Sequence, residues 1–316
     1  MSLTLSHRTR VTGGALALAL VTALGVAVAG SGTEPRPAAP SAPGVTPFDT
    51  GTVPWPEDGQ TAVVLEGAGP VTTRGDGRPV PIASLTKVMT AHVILQEHPL
   101  RPGEDGPLIE VDQRAAHEAG VGGESTVPLQ AGRKYSQRQL LELLLIPSGN
   151  NVARLLARWD AGSQDAFVGK MRSAAARLGM DRTTYTGASG IEPTTVSTAT
   201  DQLVLARAAM RNPVFREIVA SRAVTVPGVG TITNTNPLLD VPGVVGVKTG
   251  SSTPAGGNLL WACEVRVGGT PRLLVGAVLH QRAGTTPGEG LHAAADSSRR
   301  LITALREQLP RTRTEG

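Results

Sequence analysis

Residues 82–90 read Ile82-Ala83-Ser84-Leu85-Thr86-Lys87-Val88-Met89-Thr90, with a hydroxyl followed three positions later by an amine in an otherwise apolar run. Residues three apart on a helix share one face, so Ser84 and Lys87 are predicted to point the same way. Two more short motifs follow, Ser148-Gly149-Asn150 and Lys248-Thr249-Gly250. The patterns S-x-x-K, S-x-N and K-T-G each occur once and in that order. They predict one site assembled from three distant parts of the chain.

The first motif pairs a nucleophile with a base. A serine hydroxyl is a weak nucleophile at neutral pH and needs a neighbouring base. Lys87 serves as that base only when it is unprotonated, and burial together with a second cation, Lys248, is expected to disfavour its charged form. By itself the Ser84 and Lys87 pair is more typical of a helix cap followed by a solvated lysine.

The second motif follows Pro147, between two predicted helices, where a loop can present a hydroxyl and an amide to a cleft. Ser148 is predicted to carry a proton from Lys87 to the leaving amine. Asn150 is predicted to hold a substrate carbonyl or to fix Lys87. Alone, the sequence Pro-Ser-Gly-Asn is ordinary turn chemistry.

The third motif ends a predicted strand, and an edge strand can dock an extended peptide through main-chain hydrogen bonds. Lys248 adds positive charge and Thr249 a hydroxyl, which suit a carboxylate, while Gly250 allows the substrate backbone to come close. The backbone N–H groups of Ser84 and Ser251 are predicted to form an oxyanion hole. Alone, the motif is typical of a strand that ends in a turn. Together the three motifs favour acyl transfer through a serine ester.

The pattern of apolar residues gives the fold class. It predicts a strand at 61–65, a helix from Ser84, helices at 137–145, 150–159, 164–178 and 200–210, strands at 223–226, 244–248, 257–267 and 273–279, and a last helix at 288–309. Ser136 and Gln139 form a capping box at the start of the second helix. This order indicates an α+β fold, an antiparallel sheet covered by helices with a helical insertion.

The N-terminus indicates export. Basic residues in 1–10 precede an apolar run at 15–29 that ends in Ala27-Val28-Ala29, which is typical of a signal peptide. A cleaved signal peptide is favoured over a retained membrane anchor at 1–29, and both place the remaining chain outside the cytoplasmic membrane. Residues 30–60, rich in Pro and Gly, are predicted to be a linker. The folded domain is predicted at 61–310, with a disordered tail at 311–316.

Composition excludes several classes of function. The 316 residues carry 30 basic and 26 acidic side chains, a net charge of +4, without a basic run typical of nucleic-acid binding. The single cysteine, Cys263, excludes an intrachain disulfide and lies in an apolar run, so we expect a buried small side chain. Neither a thiol nucleophile nor a zinc site is indicated.

The motifs and their flanks resemble the low-molecular-mass penicillin-binding D-alanyl-D-alanine carboxypeptidases. The resemblance covers roughly residues 61–309 and is strongest in four segments, which are residues 82–90, Ser148-Gly149-Asn150-Asn151-Val152-Ala153, Ser197-Thr198-Ala199-Thr200-Asp201-Gln202-Leu203 and Gly243-Val244-Val245-Gly246-Val247-Lys248-Thr249-Gly250. It implies a β-lactamase/transpeptidase-like fold, with a five-stranded antiparallel sheet flanked by helices and a helical subdomain, and the active site between them.

The resemblance also implies a function. Members of the family remove the terminal D-Ala from peptidoglycan stem peptides, and β-lactams are expected to acylate Ser84 because they mimic the D-Ala-D-Ala end. No metal or organic cofactor is implied. Many relatives continue into a β-rich domain and a C-terminal anchor that this sequence lacks, so membrane contact is expected only through the N-terminus.

Two positions depart from the family pattern. Ser251-Ser252 follow the third motif where many relatives have a larger residue after the glycine, which alters the predicted wall of the pocket. Arg282 is not assigned to carboxylate binding, and a solvated loop arginine is expected there.

Two other functions share part of this pattern. A class A β-lactamase needs a glutamate to activate the deacylating water, but Glu192 precedes Pro193 without an Asn at the required offset. A non-catalytic module that binds wall peptides or β-lactams would need neither the nucleophile nor the base.

Overall fold

The structure, a computed structural model, describes residues 48–309. Its strands are β1 (Gln60–Leu65), β2 (Thr72–Arg74), β3 (Val80–Pro81), β4 (Leu108–Glu110), β5 (Lys134–Ser136), β6 (Val196–Ser197), β7 (Ala223–Val226), β8 (Gly230–Thr233), β9 (Val244–Ser252), β10 (Gly256–Val267) and β11 (Thr270–Gln281). Its α-helices are α1 (Thr86–Glu97), α2 (Gln113–His117), α3 (Gln137–Leu145), α4 (Asn150–Ala161), α5 (Gln164–Arg177), α6 (Ala199–Ala209), α7 (Pro213–Ala220) and α8 (Pro287–Glu307). Two 3₁₀ turns, Ala83–Leu85 and Pro237–Asp240, complete the described elements.

Five strands form one antiparallel sheet in the order β2-β1-β11-β10-β9. The longest strands pair in the centre, where Ala262 of β10 lies opposite Val275 of β11. On the other side of β10, Leu260 lies opposite Lys248 of β9. The predicted five-stranded antiparallel sheet is therefore confirmed, and the strand that contains the third motif is at its edge.

The sheet separates two apolar cores because successive residues of a strand face opposite sides. On β10, Leu260 and Ala262 pack into the larger core with the helices α1 and α3–α7. Trp261 and Cys263 face the other side, where they pack against α8. Both cores consist mainly of Ala, Val and Leu, as the low aromatic content requires. Cys263 is buried as predicted.

Helix α1 lies in the centre of the helical region. It packs against α3, α4, α5 and α6, and its residues from Thr86 to Leu95 are all buried. The 3₁₀ turn that precedes it packs against β9 and β10. The start of α1 is therefore held between the helical region and the edge of the sheet.

The folded region begins earlier than predicted. Phe48 and Val53 are buried in the core on the α8 side, and the backbone N–H of Asp49 donates to Gln308 Oε1 at 2.8 Å. The predicted 30–60 linker is wrong from residue 48 onwards, because Phe48, Val53 and the partly buried Trp55 find partners in that core. The predicted signal peptide or anchor, the linker at 30–47 and the tail at 311–316 lie outside the described residues.

Most predicted elements are present with small shifts, and four differences matter. The helix predicted from Ser84 starts with a 3₁₀ turn, and the strand predicted at 244–248 continues to Ser252, so the third motif lies inside β9. Helix α7 and the two-stranded sheet of β4 and β5 are absent from the sequence-based prediction. The capping box is confirmed, since Ser136 and Gln139 exchange hydrogen bonds of 2.9 and 3.1 Å. No helix within 48–309 is long and apolar enough to cross a bilayer.

Helix α8 approaches the sheet closely at one point. A Cβ atom built on Gly290 would lie 2.5 Å from the backbone N of Gly257 and 2.7 Å from the carbonyl carbon of Gly256. These are backbone atoms of β10, which cannot move without disturbing the sheet. Only glycine fits at position 290.

We expect Gly290→Ala to reduce the free energy of unfolding by about 1–3 kcal/mol, the usual cost of an overpacked contact. Gly169→Ala is the matched control, because Gly169 is also helical and a Cβ there meets nothing within 4 Å. That control is expected to stabilise by about 0.5–1 kcal/mol through helix propensity. Urea unfolding of both variants measures the difference, and equal stabilisation would contradict the close packing.

Candidate active site

The structure brings the first motif together as predicted. Ser84 lies in the 3₁₀ turn and Lys87 in the first turn of α1, and Lys87 Nζ lies 2.8 Å from Ser84 Oγ. Lys87 Nζ also donates to the backbone carbonyl of Ser189 at 2.8 Å. The Lys87 side chain is fully buried, whereas Ser84 is half-buried and accessible from one side. A buried amine is therefore in contact with a reachable hydroxyl.

The turn that holds Ser84 has an unusual backbone. Ala83 has φ 47°, in the left-handed region that residues with a Cβ rarely adopt. Thr86 Oγ1 donates to the Ala83 carbonyl at 2.8 Å and closes the turn. Gly190 packs directly against the same carbonyl, with no room for a Cβ. The loop that contains Ser189 thus supports the turn as well as Lys87.

Burial and neighbouring charges control Lys87. Burial lowers the pKa of Lys87 well below its ordinary value, and the positive charges of Lys248 and Arg154 lower it further. The carboxylates of Glu124 and Glu192 act in the opposite direction and raise the pKa of Lys87. The lowering causes outweigh the raising ones, so the neutral amine is favoured more than in an ordinary lysine.

Lys248 is a second buried amine. It is 1% exposed, and its Nζ donates to the carbonyl of Thr249 at 3.0 Å. Burial lowers the pKa of Lys248 to about 7. Near neutral pH this lysine is therefore poised between its charged and neutral forms.

Strand β9 places the third motif directly against the nucleophile turn. A Cβ atom built on Gly250 would lie 2.9 Å from the backbone N atoms of both Ser84 and Leu85. Any side chain there would press on the N–H of the nucleophile, so the site needs glycine. Ser251, the next residue on β9, follows this close contact and is half-buried.

The second motif lies between α3 and α4. Ser148 has φ 68°, and its Oγ is buried with no hydrogen-bond partner among the described residues. Asn150 is the first residue of α4; its Nδ2 donates to Glu124 Oε2 at 3.0 Å, while its Oδ1 has no partner in residues 48–309. This loop thus presents two buried polar atoms that other protein groups do not satisfy.

Thr235 connects the second and third motifs. Its backbone N–H donates to the carbonyl of Ile146 at 3.2 Å, just before the second motif. Its hydroxyl lies 3.0 Å from Thr249 Oγ1. The loop with Ser148 and the strand with Thr249 are therefore held on either side of a single threonine.

The predicted site residues are united to different degrees. Ser84 contacts Lys87 through its hydroxyl and lies against Gly250 through its backbone. Lys248 and Glu124 act on Lys87 through their charges, and Glu124 also accepts a hydrogen bond from Asn150. Ser148 makes no hydrogen bond to any described residue. Sequence reasoning missed Glu124, Arg154, Ser189 and Thr235, which follow no short pattern with the motifs that they contact.

Arg282 lies apart from these residues. It is exposed, as predicted for a loop arginine, and has φ 49°. It borders a cavity of about 620 Å³ between the segment 54–58 and the start of α8.

Comparison with known proteins agrees with the motif geometry. Residues 58–267 match the family model of peptidase S11, described as D-alanyl-D-alanine carboxypeptidase. The chain is 36% identical over 215 residues to D-alanyl-D-alanine carboxypeptidase DacB2 of Mycobacterium tuberculosis, covering 65% of this chain and 70% of DacB2. It is 32% identical to DacA of Escherichia coli over 183 residues, which span 45% of that longer protein.

Solved structures give the same result. The crystal structure of the Streptomyces K15 DD-transpeptidase superposes with a TM-score of 0.66 at 29% identity, covering 77% of this chain and 95% of that one. The matched family segment spans the sheet edge, the start of α1 and the second motif. Motifs, fold and relatives agree, and the chain belongs to the peptidase S11 family of serine-type D-alanyl-D-alanine carboxypeptidases.

Proposed function

We propose that this protein cleaves the terminal D-Ala from peptidoglycan stem peptides through an acyl ester on Ser84. The observation that supports it most is the 2.8 Å contact between Ser84 Oγ and the fully buried Lys87 Nζ. A lysine that burial keeps from being charged is the base that a serine nucleophile requires. The proposed catalytic residues are Ser84, Lys87, Ser148 and Asn150.

Acylation begins when Ser84 Oγ attacks the carbonyl carbon of the penultimate D-Ala, and its proton passes to Lys87 Nζ. The carbonyl oxygen becomes an oxyanion, for which we propose the N–H groups of Ser84 and Ser251 as donors. The intermediate collapses, and the bond to the terminal D-Ala nitrogen breaks. Lys87 returns its proton through Ser148 Oγ to the leaving amine. Water then cleaves the ester and regenerates Ser84.

Substrate binding is assigned to Lys248, Thr249, Gly250 and Ser251. An extended peptide can pair with the edge strand β9, where Gly250 leaves space for its backbone. The free carboxylate of the terminal D-Ala suits the Lys248 cation and the Thr249 hydroxyl. Asn150 keeps one N–H for a substrate carbonyl.

The reaction is placed outside the cytoplasmic membrane, where stem peptides lie. We propose that the chain reaches this location through its N-terminal segment, either cleaved or retained as an anchor. β-Lactams are proposed as covalent inhibitors that acylate Ser84. A partner other than the stem peptide, such as nucleic acid, is not proposed, and the absence of a metal or organic cofactor stays a prediction.

A β-lactamase is the second candidate because Glu192 lies near Lys87 and has a buried Oε2 without a partner in residues 48–309. An unsatisfied carboxylate could activate a deacylating water. No Asn follows at the offset that class A enzymes use, so the carboxypeptidase is favoured. A non-catalytic binding module would not need the contact between Ser84 and Lys87.

Ser84→Ala is expected to form no penicilloyl adduct. Its rate of D-Ala release should fall at least about 10³-fold, because no nucleophile remains. Intact-mass spectrometry after penicillin treatment and a D-Ala assay with a diacyl-D-Ala-D-Ala peptide measure both effects. Ser173→Ala, an exposed serine on α5, is the control and keeps both. An adduct on Ser84→Ala, or fast turnover of a chromogenic cephalosporin by the wild type, would overturn the assignment.

The rate of D-Ala release should follow a bell-shaped pH profile in kcat/KM. The acid limb reports deprotonation of Lys87, whose pKa lies well below its ordinary value. The alkaline limb reports loss of the Lys248 charge, since burial lowers the pKa of Lys248 to about 7. Lys248→Arg, which stays charged to about pH 12, should abolish the alkaline limb. A flat profile from acid to alkali would exclude Lys87 as the base.

Lys248→Met is expected to stabilise the fold while weakening substrate binding. The folded protein binds fewer protons at Lys248 than the unfolded chain between the lowered pKa of about 7 and the ordinary pKa of 10.5. The cost of burial is therefore complete below pH 7 and declines as pH rises. The gain should be on the order of 1 kcal/mol or more near pH 6 and smaller near pH 9. Thermal unfolding at both pH values tests this, and a larger gain near pH 9 would contradict it.

A further inference from the structure

Glu124 lies next to the site but belongs to none of the three motifs. It sits in the segment between α2 and β5, and its side chain is 22% exposed. A single oxygen, Oε2, accepts from Asn150 Nδ2 at 3.0 Å and from both terminal nitrogens of Arg154 at 3.1 Å. Glu124 is thus the residue that connects the second motif to a charged pair.

An ionised carboxylate accepts hydrogen bonds but donates none. The side-chain amide of Asn150 therefore has to turn its nitrogen toward Glu124, which directs its oxygen the other way. That oxygen is buried and has no partner among the described residues. Glu124 consequently determines which face of the Asn150 amide is left for other groups.

Glu124 also balances charge around Lys87. The charged groups that act on Lys87 are Lys248 and Arg154, which lower its pKa, and Glu124 and Glu192, which raise it. Arg154 and Glu124 are paired, so the carboxylate offsets the guanidinium at the base. Removing the Glu124 carboxylate takes away a negative charge that raises the pKa of Lys87. It also leaves the positive charge of Arg154 less compensated, and each of these two effects lowers the pKa of Lys87.

We propose that Glu124 is a positioning residue for acyl transfer, which holds the Asn150 amide in one orientation through its hydrogen bond while it pairs with Arg154. This inference rests on the proposed function of Ser84 and Lys87. Glu124 touches neither the nucleophile nor a reacting atom in this arrangement, and it acts through Asn150 and through its field at Lys87.

The chain offers a matched control in Glu118. Its carboxylate is also 22% exposed and also pairs with Arg154, through Nε at 2.8 Å. In the described part of the chain it makes no hydrogen bond to Asn150. Loss of an Arg154 partner alone can thus be separated from loss of the contact with Asn150.

The experiment compares wild type, Glu124→Gln, Glu124→Asp and Glu118→Gln by the pH dependence of penicillin acylation and of D-Ala release. Glu124→Gln is expected to move the acid limb of the acylation profile down by about half a unit to one unit, because an opposite charge has left the neighbourhood of Lys87. Its maximum rate should fall about 10-fold, since the Asn150 amide is free to rotate. Glu124→Asp should restore the midpoint, and Glu118→Gln should move it clearly less than Glu124→Gln, since the charges that act on Lys87 include Glu124 but not Glu118.

The outcomes separate failure of the proposed function from failure of the proposed role of Glu124. A wild type that neither forms the adduct nor releases D-Ala refutes the proposed function itself. An active wild type with an unshifted acid limb in Glu124→Gln refutes the role of Glu124, as does an equal shift in Glu118→Gln. Should Glu124→Gln show no cooperative unfolding transition, Glu124→Ser removes the same charge with a smaller side chain, and its profile is judged by the same criterion.

Discussion

The contact between the fully buried Lys87 amine and the Ser84 hydroxyl is the interaction on which the rest of the site depends. A lysine in water is charged near neutral pH and cannot accept a proton. Burial is the main cause that disfavours the charged form of Lys87. Lys87 is buried because helix α1 lies in the middle of the helical region. Loops bring the Ser189 carbonyl and the charges of Glu124 and Glu192 to the same amine, and β9 and α4 add Lys248 and Arg154. A change in packing there therefore also changes the electrostatics of the base.

The sheet supplies the second half of the arrangement. Strand β9 is the last strand at one edge of the sheet, and the 3₁₀ turn of the nucleophile packs against β9 and its neighbour β10. Gly250 permits the two backbones to approach closely, and Thr235 ties the loop of the second motif to the same strand. The edge strand, Gly250 and Thr235 together bring three separate sequence motifs close to one another.

The sequence predicted the parts of this molecule that follow local rules. The capping box at Ser136, the alternating strands of the sheet and the spacing from Ser84 to Lys87 are set by neighbours in the chain, and all three are present. The pairing of Asn150 with Glu124, the Ser189 carbonyl beneath Lys87 and the Thr235 bridge join residues that are far apart or follow no motif, so no local pattern indicates them. The early start of the domain at Phe48 was missed for a related reason, since a Pro- and Gly-rich segment becomes ordered only when a distant core accepts its few apolar side chains.

The close contact between Gly250 and the backbone of Ser84 has a consequence for folding during synthesis. The nucleophile turn at Ala83–Leu85 is synthesised well before β9 at Val244–Ser252, and such non-local pairings form slowly in folding. A nascent or partly collapsed polypeptide accordingly has a solvated lysine and an inert serine. The contact between β9 and the nucleophile turn therefore forms only when that strand joins the sheet, so the serine gains its full set of neighbours at the end of folding.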